Sequence, residues 1–195
     1  MLRLSRLLQS AAFLAVVAAP IAAWATPITY TDSGIASGTI GKQSFTNSLV
    51  VFTFVGDTSN ITNDGFLFLN NLGLSTVQID GVGIASFTSS TFGVADQPSF
   101  PGAAFYDAAT SFAFGTGSAV FSTYGLDTAL GPITGSFITN GASIGEATNF
   151  GSLFITSAGN TTFQAITSPI PEPSTLALLG TGVLGVLGAV RRRLC

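Results

Sequence analysis

Apolar and polar residues alternate with a period of two over much of residues 26–167. That spacing puts successive side chains on opposite faces of a β-strand. In residues 43–55, Val50, Phe52 and Phe54 point one way and Leu49, Val51 and Val55 the other. Both sides are apolar near the end of the run, which predicts a strand covered on both faces. Further apolar or alternating runs fall at 28–40, 66–69, 77–87, 103–114, 118–124, 135–139, 152–156 and 162–166. Turn-forming residues separate them: Asn63-Asp64-Gly65, Asp80-Gly81, residues 98–102, Gly131-Pro132 and Asn140-Gly141. Asn140-Gly141, between 137–139 and 143–144, carries the clearest hairpin signal. No body segment sustains a helical stripe, and no internal repeat is evident. About eight short strands with frequent turns predict an all-β body, an antiparallel β-sandwich or jelly roll.

The two ends break this pattern. Arg3 and Arg6 precede an uncharged apolar stretch at 7–19, and Ala23-Trp24-Ala25 places small residues where a signal peptidase reads. Residues 1–25 therefore read as a signal peptide with its helix, cut after Ala25. No Cys follows the apolar stretch, which excludes lipid attachment at the new N-terminus. At the other end, Pro171-Glu172-Pro173 leads into an apolar run at 174–190 and then Arg191-Arg192-Arg193. At ~1.5 Å per residue the 16 residues from 175 to 190 reach only about 24 Å. The hydrocarbon core is about 30 Å thick. Snorkelling arginines and local bilayer thinning make up the difference. Ser174 or Thr175 is placed to cap this single transmembrane helix, and the arginines favour the cytoplasmic side. The expected organisation is a signal peptide at 1–25, an extracellular body at 26–167, and a sorting region at 168–195.

Pro171, Glu172, Pro173 and Ser174, the Gly-rich apolar helix and the arginine cluster together resemble the PEP-CTERM sorting region of bacterial exported proteins. The resemblance covers residues 169–195. It implies recognition by a membrane-embedded, transpeptidase-like exosortase and cleavage near Pro171-Glu172-Pro173. It further implies a body anchored transiently in the inner membrane and then displayed at the cell surface or secreted, often alongside exopolysaccharide. Tails of this kind are also catalogued as a C-terminal region of ice-binding proteins, which by itself says nothing about ice. Physically, Pro171 and Pro173 hold the backbone extended and outside the helix, where a protease can grip it.

Charge narrows the function. Between residues 26 and 170 the sole cation is Lys42, against Asp32, Asp57, Asp64, Asp80, Asp96, Asp107, Asp127 and Glu146. One minus eight gives −7 for the body, while five of the six cations lie in the targeting ends. Such a balance disfavours nucleic acid as a partner. Seventeen Phe across the chain supply material for a core despite the sparse charge. The single Cys, Cys195, permits no internal disulfide.

Catalytic patterns are few. The chain has no His, which removes the commonest general base and metal ligand. Gly141-Ala142-Ser143-Ile144-Gly145 has the spacing of a nucleophile elbow, but that chemistry needs a His and an α/β fold. Asp32-Ser33-Gly34 has the spacing of an aspartic-protease site, with Asp127-Thr128-Ala129 as its best second copy. Such enzymes need two carboxyls sharing a proton; the alternative is a turn. Glycoside hydrolysis needs a similar pair, and the body has one Glu, Glu146. Lys42 and Ser44 lack the spacing of a Ser–Lys pair. Asp57, Asn60, Asn63 and Asp64 form an oxygen-rich loop and are the candidates for Ca²⁺, against turn-forming residues as the alternative. Asn60-Ile61-Thr62 and Asn160-Thr161-Thr162 have the glycosylation spacing. Only Thr29-Tyr30-Thr31 offers the Thr-x-Thr spacing of an ice-binding face in the early body, and the aromatics read first as core.

These features predict a non-enzymatic surface or matrix protein without a cofactor. Its partners are signal peptidase, the exosortase-like enzyme, membrane lipid in passing, and extracellular polysaccharide. The alternative is a carbohydrate-, ice- or calcium-binding module; an Asp-dependent extracellular hydrolase ranks third. Replacing Glu172 by Ala, or deleting residues 191–193, is expected to trap the full-length precursor. Immunoblots of membrane and medium fractions check this, and unchanged processing contradicts the sorting reading.

Overall fold

The computed structural model describes residues 26–140 and 145–168. The expected signal peptide at 1–25, the sorting region beyond residue 168, Gly141 with the strand expected after it, and residues 141–144 of the elbow-like pentapeptide lie outside those residues. The described chain runs β1 Pro27–Ile40, β2 Gln43–Asp57, β3 Thr62–Asn63, β4 Phe68–Asn70, β5 Leu74–Ile79, β6 Gly83–Ser86, β7 Phe92–Asp96, β8 Gly102–Asp107, β9 Phe112–Gly117, β10 Leu130–Asn140, β11 Glu146–Thr148 and β12 Gly151–Thr167. Every pairing is antiparallel, and one hydrogen-bonded path runs β3-β4-β7-β8-β9-β10-β12-β1-β2-β5-β6, with β11 beside β12. The expected all-β antiparallel body is therefore present, as one sheet curled so that its two halves face each other.

β12 and β10 make the curl possible. One flank of β12 pairs with β1 from Ile28–Thr167 to Ile40–Leu153. Its other flank is shared: residues 151–153 take β11, and residues 161–165 take the start of β10. β10 then leaves β12 after Gly135 and pairs through residues 136–140 with β9. A Cβ on Gly135 would strike the Gly117 carbonyl oxygen, so this crossing requires glycine. At the other end, Thr88 N–H donates to the Ala147 carbonyl and Asn149 N–H to the Ser86 carbonyl, each at 3.0 Å. These bonds join β6 to β11 and close that half of the sheet on itself.

The core lies between the two halves. Along β1 the alternation is strict: Ile28, Tyr30, Asp32, Gly34 and Ala36 face in. On β2 the inward phase changes from Phe45 to Val50, because Asn47 (φ 50°) sits in a bulge opposite the register shift at Ala36/Gly38. Phe52 of β2 stacks on Phe114 of β9 at 4.4 Å and tilts against Phe105 of β8 at 5.4 Å. Phe87 and Phe92 stack at 3.9 Å. Buried Phe thus fastens one layer to the other, each aromatic pair adding about 0.5–1.5 kcal/mol beyond its burial.

Several expectations change. Leu49 and Val55 are each 46 % exposed, so β2 is covered on one face only; its outer apolar residues face solvent. Residues 118–124 form a short 3-10 helix, Ala119–Thr123, rather than a strand. Its position is fixed by Phe121 in the core and by the Tyr30 hydroxyl donating to the Leu126 carbonyl at 2.6 Å. Gly131-Pro132, read as a turn, lies inside β10 where the register with β12 shifts. The runs at 152–156 and 162–166 are parts of one strand, β12.

Phe52→Ala is expected to destabilise the body by about 3–5 kcal/mol, the usual cost of emptying a buried aromatic site. Leu49→Ala, on the exposed face of the same strand, should cost within about 0.5 kcal/mol. Urea unfolding of the two variants checks the contrast.

Candidate functional site

Four of the body's eight anions are buried: Asp32, Asp96, Asp107 and Glu146. This revises the picture drawn from charge counting. The exposed or half-exposed charges are Asp57, Asp64, Asp80, Asp127 and Lys42, so the surface carries much less charge than −7.

Asp32 faces into the core from β1, in neither a turn nor an accessible catalytic site. The Thr116 hydroxyl lies 3.1 and 3.2 Å from its two oxygens and 2.8 Å from the Thr161 hydroxyl. Thr161 in turn donates to the Gly115 carbonyl at 2.8 Å. A hydroxyl carries one proton, so the chain is satisfied throughout when Asp32 is protonated and donates to Thr116, Thr116 to Thr161, and Thr161 to Gly115. Burial raises the Asp32 carboxyl well above the ordinary range, against hydrogen bonds from Thr116 and the Ser33 N–H that favour the anion. Asp127, its suggested partner, is exposed in the loop after the 3-10 helix. The two carboxyls are not brought together as an aspartic-protease dyad.

A different pair does meet. Asp107 closes β8, and Glu146 opens β11 at the seam with β6. Asp107 Oδ1 accepts from the Ala109 N–H at 2.8 Å and from the Thr91 hydroxyl; Glu146 Oε2 accepts from the Thr110 hydroxyl at 2.9 Å. Asp107 Oδ2 and Glu146 Oε1 are buried without a hydrogen-bond partner, and the two carboxyls act on each other's ionisation. Burial opposes ionisation of Asp107, but hydrogen bonds from Ser89, Thr91, the Ala109 N–H and Glu146 outweigh it and hold the group low. Burial, and then the Asp107 charge, push Glu146 up to about 7 despite the Thr110 hydroxyl. Asp96, on the inner face of β7, has no partner for either oxygen, and burial alone raises it to about 7. Sequence spacing gave no sign of the Asp107–Glu146 pair, because 39 positions separate the two residues and only the sheet curl joins them.

The oxygen-rich loop is organised by its own turns. Asp57 accepts from the Ser59 N–H at 2.8 Å, Asn63 from the Gly65 N–H at 2.7 Å, and Asp64 from the Phe66 and Leu67 N–H groups, each at 2.9 Å. The Asn60 amide donates to the Leu72 carbonyl at 3.2 Å. Among the described residues no group of three or more acidic or Cys side chains converges on a metal-sized site. Bonds from Phe66 and Leu67 to Asp64 also lower its carboxyl from the ordinary range.

Two outer faces remain. On the β12-β1-β2-β5 half, the register aligns Gln164, Thr31, Thr53, Thr76 and Ser86 in one row, next to a row of Ile166, Thr29, Val55 and Leu74. No sequence repeat announced this hydroxyl row, since each strand contributes one residue. On the β7–β10 half, the outer rows are Ala95-Ala104-Gly115-Ile138 and Gly93-Tyr106-Ala113, a floor with few large side chains. Depressions of about 480 and 560 Å³ lie over this half and adjoin at Phe100, Ile138 and Thr139. No charged residue lines either one. No described helix is long and apolar enough to cross a membrane.

The raised carboxyls set a pH dependence. Asp96 and Glu146 bind protons in the fold at pH values where the unfolded chain, near 3.9–4.3, has released them. Their contribution is full below about 4 and lost as pH rises through about 7. Asp107, held low, acts oppositely: it favours the fold above the unfolded carboxylate range and less in strong acid. The thermal midpoint is therefore expected to be higher at pH 5 than at pH 8. Asp96→Asn should narrow that gap chiefly by raising the midpoint at pH 8, as read by circular dichroism.

Ala23, Ala25, Pro171, Glu172, Pro173, Ser174 and Arg191, Arg192 and Arg193 lie outside the described residues. No curated protein and no solved structure matches the chain. The family model of the PEP-CTERM protein-sorting motif matches residues 169–193, leaving the β body outside the match. The chain thus carries a PEP-CTERM sorting motif, which marks it for export and for membrane-associated sorting to the cell surface by exosortase-type machinery.

Proposed function

We propose that the chain is a non-catalytic surface or matrix protein held in extracellular polysaccharide by its β body. In this reading signal peptidase cuts after Ala25, residues 174–190 hold the precursor transiently in the inner membrane, and the exosortase-type enzyme cuts near Pro171-Glu172-Pro173. The placement of the carboxyls carries the non-catalytic part. Asp32, Asp96, Asp107 and Glu146 are buried in the body. The surface depressions over the β7–β10 half are lined by none of them. A general acid or base must come within about 3 Å of its substrate's proton, directly or through one water. Few charged side chains are exposed on the body, which suits a neutral surrounding better than a charged polymer.

Fractionation of producing cells tests the reading. The processed body is expected to co-sediment with extracellular polysaccharide and to be released when glycosidases digest that material. A body that appears free in the medium without polysaccharide, or stays cell-bound after complete digestion, contradicts it.

A further inference from the structure

The outer face of the β7–β10 half is a trough, and its construction is specific. The floor is Ala95, Ala104 and Ala113, side chains too small to project from a sheet, with Gly115 beside Ala104 in the same row. Ala95, Ala104 and Ala113 are only 5, 8 and 7 % exposed, set low between their neighbours, so they form the bottom of the trough and do not project into it. Large side chains stand only at the margins. Tyr106 rises from β8, and Ile138 lies across Gly102 so that a Cβ there would strike its Cδ1. Phe100, from the β7–β8 turn, is 66 % exposed and forms the ridge shared by the two depressions.

The chemistry of this trough restricts its occupant. No charged side chain lines it, so neither an anionic nor a cationic polymer gains attraction there. The polar groups on offer are neutral: Gln97, Ser118, Ser136 and Thr139. Phe100 and Tyr106 stand beside this low floor and offer ring faces to the apolar faces of a ligand. Each depression is within the range of about 300–1,000 Å³ typical of small-ligand sites, and the two run on from one another around Phe100. An extended chain of neutral rings that bear C–H faces and hydroxyl rims satisfies all of these features.

We propose that the trough over Ala95, Ala104 and Ala113, walled by Phe100, Tyr106 and Ile138, binds a neutral polysaccharide chain. The proposal rests on the reading of the body as polysaccharide-associated and assigns that association to one face.

Affinity electrophoresis of the full-length chain tests it. Native gels carry hydroxyethyl cellulose or dextran as neutral probes, alginate as the anionic probe, or polysaccharide extracted from the producing cells. At least one neutral probe should retard the protein, and alginate should not. Phe100→Ala and Tyr106→Ala should each weaken retardation about tenfold, the scale of one lost aromatic contact. Ala104→Arg should abolish it by filling the floor. Leu74→Ala, on the outer face of the opposite half, should leave it unchanged; circular dichroism confirms that each variant is folded. Retardation that survives Phe100→Ala and Ala104→Arg overturns the trough and leaves the matrix reading standing. No retardation of the wild-type chain by any of the four materials overturns both. Equal retardation by alginate overturns the neutral ligand. Self-association that Phe100→Ala abolishes, with retardation intact, makes the trough an interface between copies and overturns the proposal.

Discussion

One constraint shapes this molecule: a single antiparallel sheet supplies both covers of its own core. A flat sheet cannot do that, and an ordinary sandwich uses two sheets. Here β12 serves as the shared rib. It pairs with β1 along one flank and divides the other between β11 and β10. β10 then crosses to β9 at Gly135, where any side chain would meet the Gly117 carbonyl. With that crossing in place, Phe52 can stack on Phe114 and Phe105, and the layers close around aromatic contacts. Without it, β3, β4 and β7–β9 would have no route by hydrogen bonds to β1 and β2.

The same crossing explains the buried acids. Asp32 comes from β1, Thr161 from β12 and Thr116 from β9, so their hydrogen-bonded chain spans the fork itself. A body with one lysine cannot neutralise four buried carboxyls with cations. Protonation and hydrogen bonding are the remaining ways to avoid an unpaired buried charge. Asp32 uses a hydroxyl relay, and Glu146, buried beside Asp107, keeps its proton toward neutral pH. Asp96 has only its own neutral form. Asp96 and Glu146 favour the fold most in mildly acidic surroundings, and all four buried carboxyls lie away from the surface.

Reading strands from the sequence succeeds where a single hydrophobic face dominates. The alternation at Ile28, Tyr30, Ala36 and at Val50, Phe52, Phe54 recovers β1 and β2 almost end to end. It fails where tertiary contacts decide. Val120 and Phe121 have strand-like character, yet Phe121 must reach the core beside Phe163, and a 3-10 turn delivers it. Leu49, Val51 and Val55 look like a second covered face, but Leu49 and Val55 are each 46 % exposed. The sorting motif was legible because its parts are contiguous. The Asp107–Glu146 pair, the hydroxyl row through Thr31, Thr53 and Thr76, and the trough were not, because register across strands creates them. Composition also misled in one respect: a count of anions cannot say which are inside.

The place where the body meets its sorting region is part of the same design. The Ser168 N–H donates to the Pro27 carbonyl at 2.9 Å, so the first and last described strands leave the sheet at one end, side by side. A pull along β12 from its C-terminal end would act on a strand that pairs with three others, β1, β10 and β11. Its ladder with β1 is loaded in shear, where hydrogen bonds share the force, rather than peeled one at a time. A peripheral strand such as β3, two residues long, would offer no such resistance. The proposed grip on polysaccharide adds a matching property at the other contact. Ring stacking and neutral hydrogen bonds are scarcely screened by salt, whereas ion pairs at an exposed surface weaken as the Debye length falls to about 8 Å at 0.15 M. A surface that hides half its carboxyls and holds its partner without charge keeps its hold when the ionic strength outside the cell changes.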